Sequence, residues 1–167
     1  MTAVLNLEGI IATRTGTWTN AERTQLETVV AALQPSARHL NDILDWIDDI
    51  SARDQVPPAT VLAAPALQTA LRSGASAPER LKHWKEQLRR LRYPRLAART
   101  DTVAATIRAM TLGPAITFAP PSDLEGGVVT ITIRTRSSAE LAAALERLRD
   151  RLAHGDVDRL FALLDEA

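Results

Sequence analysis

The chain of 167 residues has no cysteine, few aromatic residues and no excess of charge of either sign. Without cysteine it has no disulfide, no thiolate nucleophile and no Cys-ligated zinc or iron–sulfur centre. No apolar run approaches the roughly 20 residues of a membrane-spanning helix. The first residues are not a basic segment followed by an apolar run, as in a secretory signal. We therefore expect a cytoplasmic protein without membrane contact.

Short motifs of common catalytic and cofactor sites are also missing. There is no Gly-x-Ser-x-Gly, no His-Glu-x-x-His and no glycine-rich phosphate loop. The three histidines, His39, His83 and His154, are far apart in sequence, and none has a second histidine four residues away. We predict no cofactor, no metal and no catalytic residue. An enzyme whose site is assembled only by the fold stays as a third hypothesis.

One predicted helix carries Asp42, Asp45 and Asp49 on one side, with Asp48 nearby. Carboxylates at this spacing lie together and could gather a divalent cation. Hard cations usually take ligands from more than one element, which favours a solvated helix face instead. A further alternative is that this acidic face meets the basic part of the protein.

Apolar residues make up 46% of the chain, enough to build a core. Their helical spacing and several capping signals predict a mostly helical α+β protein. We predict a helical region with the basic helix over residues 1–100 and a small α/β unit over residues 101–167, with one compact domain formed by both as the alternative. Alternating or β-branched runs predict strands at Ala115–Ala119 and Val128–Arg136, and a short strand at Val4–Ile11.

The balanced total charge hides a basic middle. The net charge is −4 over residues 1–56, +7 over residues 57–99 and −3 over residues 100–167. Lys82, Lys85, Arg89 and Arg92 recur at helical spacing, and we call this row the cationic stripe. Such a row could contact successive phosphates of a nucleic acid. The alternative is that the row is solvated or pairs with the protein's own acidic segments.

The predicted nucleic-acid contacts extend the cationic stripe past the helix break at Tyr93-Pro94. They are Lys82, Lys85, Arg89, Arg90, Arg92, Arg95 and Arg99.

The predicted hairpin needs a further partner, because two strands alone form a marginal sheet with open edges. Pairing with a second copy of the chain would cover an edge. Pairing with the predicted strand at Val4–Ile11 would do the same within one chain.

Residues 103–152 follow a recognisable order of elements. An apolar helix ends near Met110, and a strand Ala-Ile-Thr-Phe and a loop closed by Gly-Gly follow. A second strand, Val-Val-Thr-Ile-Thr-Ile-Arg, then leads into the helix of Ser-Ser-Ala-Glu-Leu-Ala-Ala-Ala-Leu-Glu-Arg-Leu. This order resembles the C-terminal dimerisation domain of the ParB family of partition proteins. The resemblance implies that two such units join their strands into one sheet.

The resemblance also has limits. It implies a DNA-binding basic face, but the second strand offers only Arg134 and Arg136 in place of a lysine-rich surface. The family's nucleotide-binding motifs and helix-turn-helix are not found in residues 1–102. Partition activity and nucleotide binding are therefore not carried over. The resemblance assigns the dimer interface to Val129, Ile131, Ile133, Leu141, Leu145 and Leu148.

Together these observations lead to a homodimeric accessory protein without catalytic activity that contacts DNA or RNA through the basic helix. The rival hypothesis is a protein–protein adaptor or assembly subunit whose basic helix docks on an acidic partner surface.

Overall fold

The computed structural model describes residues 2–121, 124 and 128–165. Over these residues the predicted mostly helical α+β class is confirmed. The elements in chain order are α1 (Thr2–Arg14), α2 (Asn20–Leu33), α3 (Ala37–Asp54), α4 (Pro58–Leu62), α5 (Pro65–Leu71), α6 (Ala77–Arg92), α7 (Pro94–Ala109), β1 (Ile116–Ala119), β2 (Thr130–Ile133), α8 (Ser138–Ala153) and α9 (Asp156–Asp165). None of the described helices combines the length and the apolar character needed to cross a lipid bilayer.

The chain divides into an N-terminal unit, residues 1–93, and a C-terminal unit, residues 94–167. Each unit has its own cluster of buried apolar side chains. The division falls at Tyr93-Pro94, where α6 ends. Tyr93 has φ −121° and ψ 67°, outside the helical region, as expected for a residue that precedes proline.

The core of the N-terminal unit is built around α3. Its apolar residues recur at helical spacing, and all five are buried as predicted: Leu40, Ile43, Leu44, Ile47 and Ile50. Helix α6 contributes Leu81, Trp84 and Leu88 to the same cluster. Because α6 packs on α3, the polar flanks of these two helices lie close together, which determines the surroundings of the cationic stripe.

The predicted N-terminal strand at Val4–Ile11 is wrong, since these residues belong to α1. The β-branched content of the segment favours a strand, but Leu7, Ile10 and Ile11 also have helical spacing. In α1 all three side chains pack on the core of the N-terminal unit, and this burial outweighs the local preference. A strand from this segment is therefore not available to pair with the hairpin.

Several predicted helix starts are confirmed with their caps. Thr19 accepts a hydrogen bond from the Glu22 amide at 3.3 Å, and Ser137 accepts one from the Glu140 amide at 3.2 Å. These side chains satisfy amides that have no partner inside the helix. Pro65 occupies the beginning of α5, as expected for a residue that is tolerated only in the first turn.

In the C-terminal unit, β1 and β2 form an antiparallel pair. Ile116 lies opposite Ile133, and Phe118 lies opposite Ile131, so these four side chains share one face of the hairpin. The second strand covers Thr130–Ile133 only, less than the predicted Val128–Arg136. The predicted Gly126-Gly127 turn lies outside the described residues.

Candidate functional site

The beginning of α6 fixes where the cationic stripe points. The Glu79 carboxylate accepts hydrogen bonds from the amide of Ser76 at 3.2 Å and from its hydroxyl at 2.7 Å. With Ser76 as its N-cap, the helix begins at Ala77. In this helix Leu81, Trp84 and Leu88 point into the core, so the cationic stripe lies on the flank of the helix.

Two cations of the stripe bind carboxylates of α3. Lys85 Nζ lies 2.8 Å from Asp42 Oδ2, and Arg92 Nη2 lies 2.5 Å from Asp49 Oδ2. The Lys85 side chain is only 19% exposed, which limits its access to an external phosphate. The prediction that the acidic face of α3 meets the basic segment is therefore confirmed for these two pairs.

The contact with Lys85 changes the pKa of Asp42. The hydrogen bond from Lys85 lowers the pKa of Asp42 below its ordinary value, and burial opposes that effect. The neighbouring Asp48 behaves differently, because burial raises its pKa in spite of a hydrogen bond from Arg14. The acidic side of α3 is thus occupied by cations of the same unit. Over the residues that the structure describes, no three acidic or histidine side chains are grouped to hold a metal ion.

Trp46 lies close to both paired cations. Lys85 Nζ is 5.2 Å and the Arg92 guanidinium carbon is 5.8 Å from the centre of the Trp46 ring. Both distances suit a cation–π interaction. Arg92 also lies 5.1 Å from the ring of Tyr93. Sequence reasoning missed Trp46, because its position among aspartates on α3 gives no sign that cations from α6 will lie near its ring.

The other predicted nucleic-acid contacts do not share one environment. Arg89 donates from Nε and Nη2 to the Glu86 carboxylate, both at 3.2 Å. In the C-terminal unit, Arg99 donates to the carbonyl of Leu163 and so caps the end of α9. Arg90 is partly buried, and Arg95 is exposed.

Lys82 is the exposed member of the cationic stripe. Within the described part of the chain it has no hydrogen bond and no ion pair. The structure therefore separates Lys82 from Lys85, Arg89 and Arg92, which all bind carboxylates of their own unit.

Arg53 is a further residue that sequence reasoning missed. From the last turn of α3 its guanidinium donates to the carbonyl oxygens of Leu91 and Arg92 at the end of α6. It also pairs with the adjacent Asp54 at 2.7 Å. The last carbonyls of a helix have no partner within the helix, so Arg53 satisfies groups that would otherwise depend on water.

A second candidate surface lies in the C-terminal unit, where α8 buries only Ala144 fully. Its leucines at helical spacing stay exposed: Leu141 at 40%, Leu145 at 48% and Leu152 at 49%. Ile131 of β2 is also 40% exposed, although Phe118, opposite it in the hairpin, is buried. We call the exposed leucines of α8, Leu141, Leu145 and Leu152, the apolar face.

The predicted dimer residues divide into two groups. Val129, Ile133 and Leu148 pack partly on the core of their own C-terminal unit. Ile131, Leu141 and Leu145 are the exposed group, and the two leucines belong to the apolar face. Half of the predicted interface therefore packs on the core of its own unit, and the other half stays 40–48% exposed over the described residues.

No family model matches the sequence, and neither a curated protein nor a solved structure is significantly similar to it. The resemblance of residues 103–152 to the ParB dimerisation domain stays a prediction.

Proposed function

We propose that the protein is a homodimeric accessory protein that pairs with a second copy through its C-terminal unit. The observation that carries this proposal is the apolar face. Isolated exposed leucines are common, but a row of leucines along a capped helix is typical of an interaction surface. Burying each half-exposed side chain would contribute roughly 1 kcal/mol, and a symmetric contact gains each contribution twice.

The hairpin supports a second copy as the occupant. Among the described residues each strand is hydrogen-bonded along one edge only. An open edge of a two-stranded sheet is an aggregation risk unless it is covered. Two copies related by a two-fold axis can join identical strand edges and cover two exposed Ile131 side chains in one contact. A cytoplasmic location is part of this proposal, because a chain without cysteine does not depend on an oxidising compartment for disulfides.

The experiment is a measurement of molar mass in solution by sedimentation equilibrium over a range of concentrations. We expect twice the mass of one chain for the wild type and a shift to one chain mass for Leu145→Glu. Ala143→Glu is the matched control, since it adds the same charge on the opposite, exposed side of α8. A wild-type monomer at all concentrations would contradict the proposal. A dimer that neither variant weakens would place the interface elsewhere.

Nucleic-acid binding is the second candidate, and it is favoured by the exposed cations Lys82 and Arg95. The ion pairs of Lys85, Arg89 and Arg92 reduce the charge that the stripe offers, so we expect weak, salt-dependent binding to generic duplex DNA. Lys82→Gln and Arg95→Gln should each reduce the salt slope by about 1, as expected when one phosphate contact is lost. Arg149→Gln, at an arginine whose side chain is 74% exposed on α8, is the control.

This experiment also separates the two candidates. If the dimer forms and the salt slope is the same in all three variants, the rival adaptor role remains and nucleic-acid contact by these cations is excluded. If the slope falls only for Lys82→Gln and Arg95→Gln, the accessory protein contacts nucleic acid.

A further inference from the structure

The cationic stripe borders a groove in the N-terminal unit. The groove has a volume of about 410 Å³ and lies between α3 and α6. Small-molecule sites occupy roughly 300–1,000 Å³, so the groove is large enough for a small ligand. Its apolar part is formed by the half-buried ring of Trp46 and by Leu81. This combination provides a flat, apolar surface that a ligand can contact.

Cations outnumber acids around this groove. Lys82, Lys85 and Arg89 line it, whereas Glu86 is the carboxylate among the lining residues. Lys82 has no partner within the described residues, so its three donors are free for a ligand. Arg89 uses Nε and Nη2 on Glu86, which leaves its Nη1 donors available. The groove therefore offers charged donors beside an aromatic ring.

We propose that this groove binds a small organic anion with a flat apolar body, which packs against the part of the Trp46 ring exposed in the groove while its anionic group meets Lys82 and Arg89. Lys85 has a different role in this site. Its ion pair with Asp42 and its position 5.2 Å from the Trp46 ring hold the aromatic surface in place. The site lies wholly in the N-terminal unit, so it does not depend on pairing of the C-terminal unit.

The probe for this proposal is naphthalene-2-sulfonate, which combines a flat apolar body with a permanent negative charge. The two matched probes are 2-naphthol, which keeps the body but is neutral at pH 7, and inorganic sulfate, which keeps only the anion. Titration of the full-length protein is followed by NMR of the indole N–H groups of the three tryptophans. Trp46→Phe identifies the signal of Trp46.

We expect naphthalene-2-sulfonate to shift the Trp46 signal and to leave the signals of buried Trp18 and Trp84 in place. Lys82→Met should raise the Kd about five- to tenfold, as expected for the loss of one charge-assisted hydrogen bond. Arg72→Met, at an exposed arginine outside the groove lining, should leave the Kd unchanged. The two matched probes should bind more weakly.

Three results would overturn the proposal. The first is no shift of the Trp46 signal at millimolar naphthalene-2-sulfonate. The second is a Kd that does not change in Lys82→Met, because the unpaired lysine would then have no part in recognition. The third is equal affinity for the sulfonate and for 2-naphthol, which would show that charge is not recognised.

Discussion

At the scale of single residues, Glu22 joins a helix cap to the core of the N-terminal unit. Its carboxylate accepts hydrogen bonds from the Thr19 amide at 2.7 Å and from the Thr19 hydroxyl at 2.8 Å, although the residue is buried. The bond from the Thr19 backbone is the largest cause of the lowered pKa of Glu22, and the Thr19 hydroxyl lowers it further. A buried carboxylate is tolerated here because Oε2 accepts both of these bonds and the Ala59 backbone supplies a further hydrogen bond.

A prediction about pH follows from this contact. Because the folded state lowers the pKa of Glu22 below the ordinary 4.5, its charge stabilises the fold above that pH. The contribution is lost as the pH falls through the lower, folded pKa. Glu22→Gln should therefore reduce the free energy of unfolding by about 0.5–1 kcal/mol at pH 7. The difference from the wild type should shrink toward pH 3.

Urea unfolding of both proteins at a series of pH values measures this difference. Glu27→Gln provides the control, since Glu27 is an exposed carboxylate on the same helix without a described hydrogen bond. It should unfold like the wild type throughout the series. A gap between Glu22→Gln and the wild type that stays constant from pH 7 to pH 3 would contradict the assigned role of the charge.

At the scale of elements, Arg53 links the end of α3 to the end of α6 through the carbonyls of Leu91 and Arg92. We expect Arg53→Met to loosen the last turn of α6 and to lower the free energy of unfolding by about 1 kcal/mol. Hydrogen exchange should accelerate at amides such as that of Tyr93, which binds the Arg89 carbonyl. Mass spectrometry of peptides from this turn measures the change.

Arg38→Met is the matched control on the same helix. Arg38 is exposed near the beginning of α3, where a positive charge does not interact favourably with the helix dipole. We expect no faster exchange at the end of α6 in this variant. Equal acceleration in both variants would show that charge on α3, and not the contact of Arg53, controls the last turn of α6.

The elements also show which parts of the fold can be predicted from sequence. The caps at Thr19, Ser76 and Ser137 were predictable, because capping depends on residues three apart in the chain. The ion pair between Lys85 and Asp42 was predictable only as a tendency of two oppositely charged zones, because 43 residues separate the partners. Its actual geometry depends on how α3 and α6 pack.

The N-terminal segment shows a second limit. Leu7, Ile10 and Ile11 fit a helical stripe, while the neighbouring apolar residues also fit a short strand. Only the packing of the helical stripe on the core decides between them. The same applies to the interface residues Val129 and Ile133, since alternation predicts that they share a face but not whether that face meets the chain's own core.

At the scale of the whole molecule, the two units differ in what completes them. The N-terminal unit buries its apolar helix faces in its own core, whereas α8 of the C-terminal unit leaves Leu141, Leu145 and Leu152 exposed. If the C-terminal unit is completed by a second copy, its stability depends on protein concentration by mass action. The stability of the N-terminal unit should not.

The tryptophans allow this difference to be measured in the intact chain. Trp18, Trp46 and Trp84, the three tryptophans of the sequence, all lie in the N-terminal unit, whereas helices of both units contribute to far-UV circular dichroism. We expect the thermal midpoint from tryptophan fluorescence to be independent of concentration. The circular dichroism signal should contain a transition whose midpoint rises by several degrees as the concentration rises about a hundredfold.

Leu145→Glu should abolish this rise of the midpoint, and Ala143→Glu should preserve it. If both signals instead give the same midpoint at every concentration, dissociation has no part in the unfolding of the C-terminal unit. That result would mean that this unit is complete in one chain.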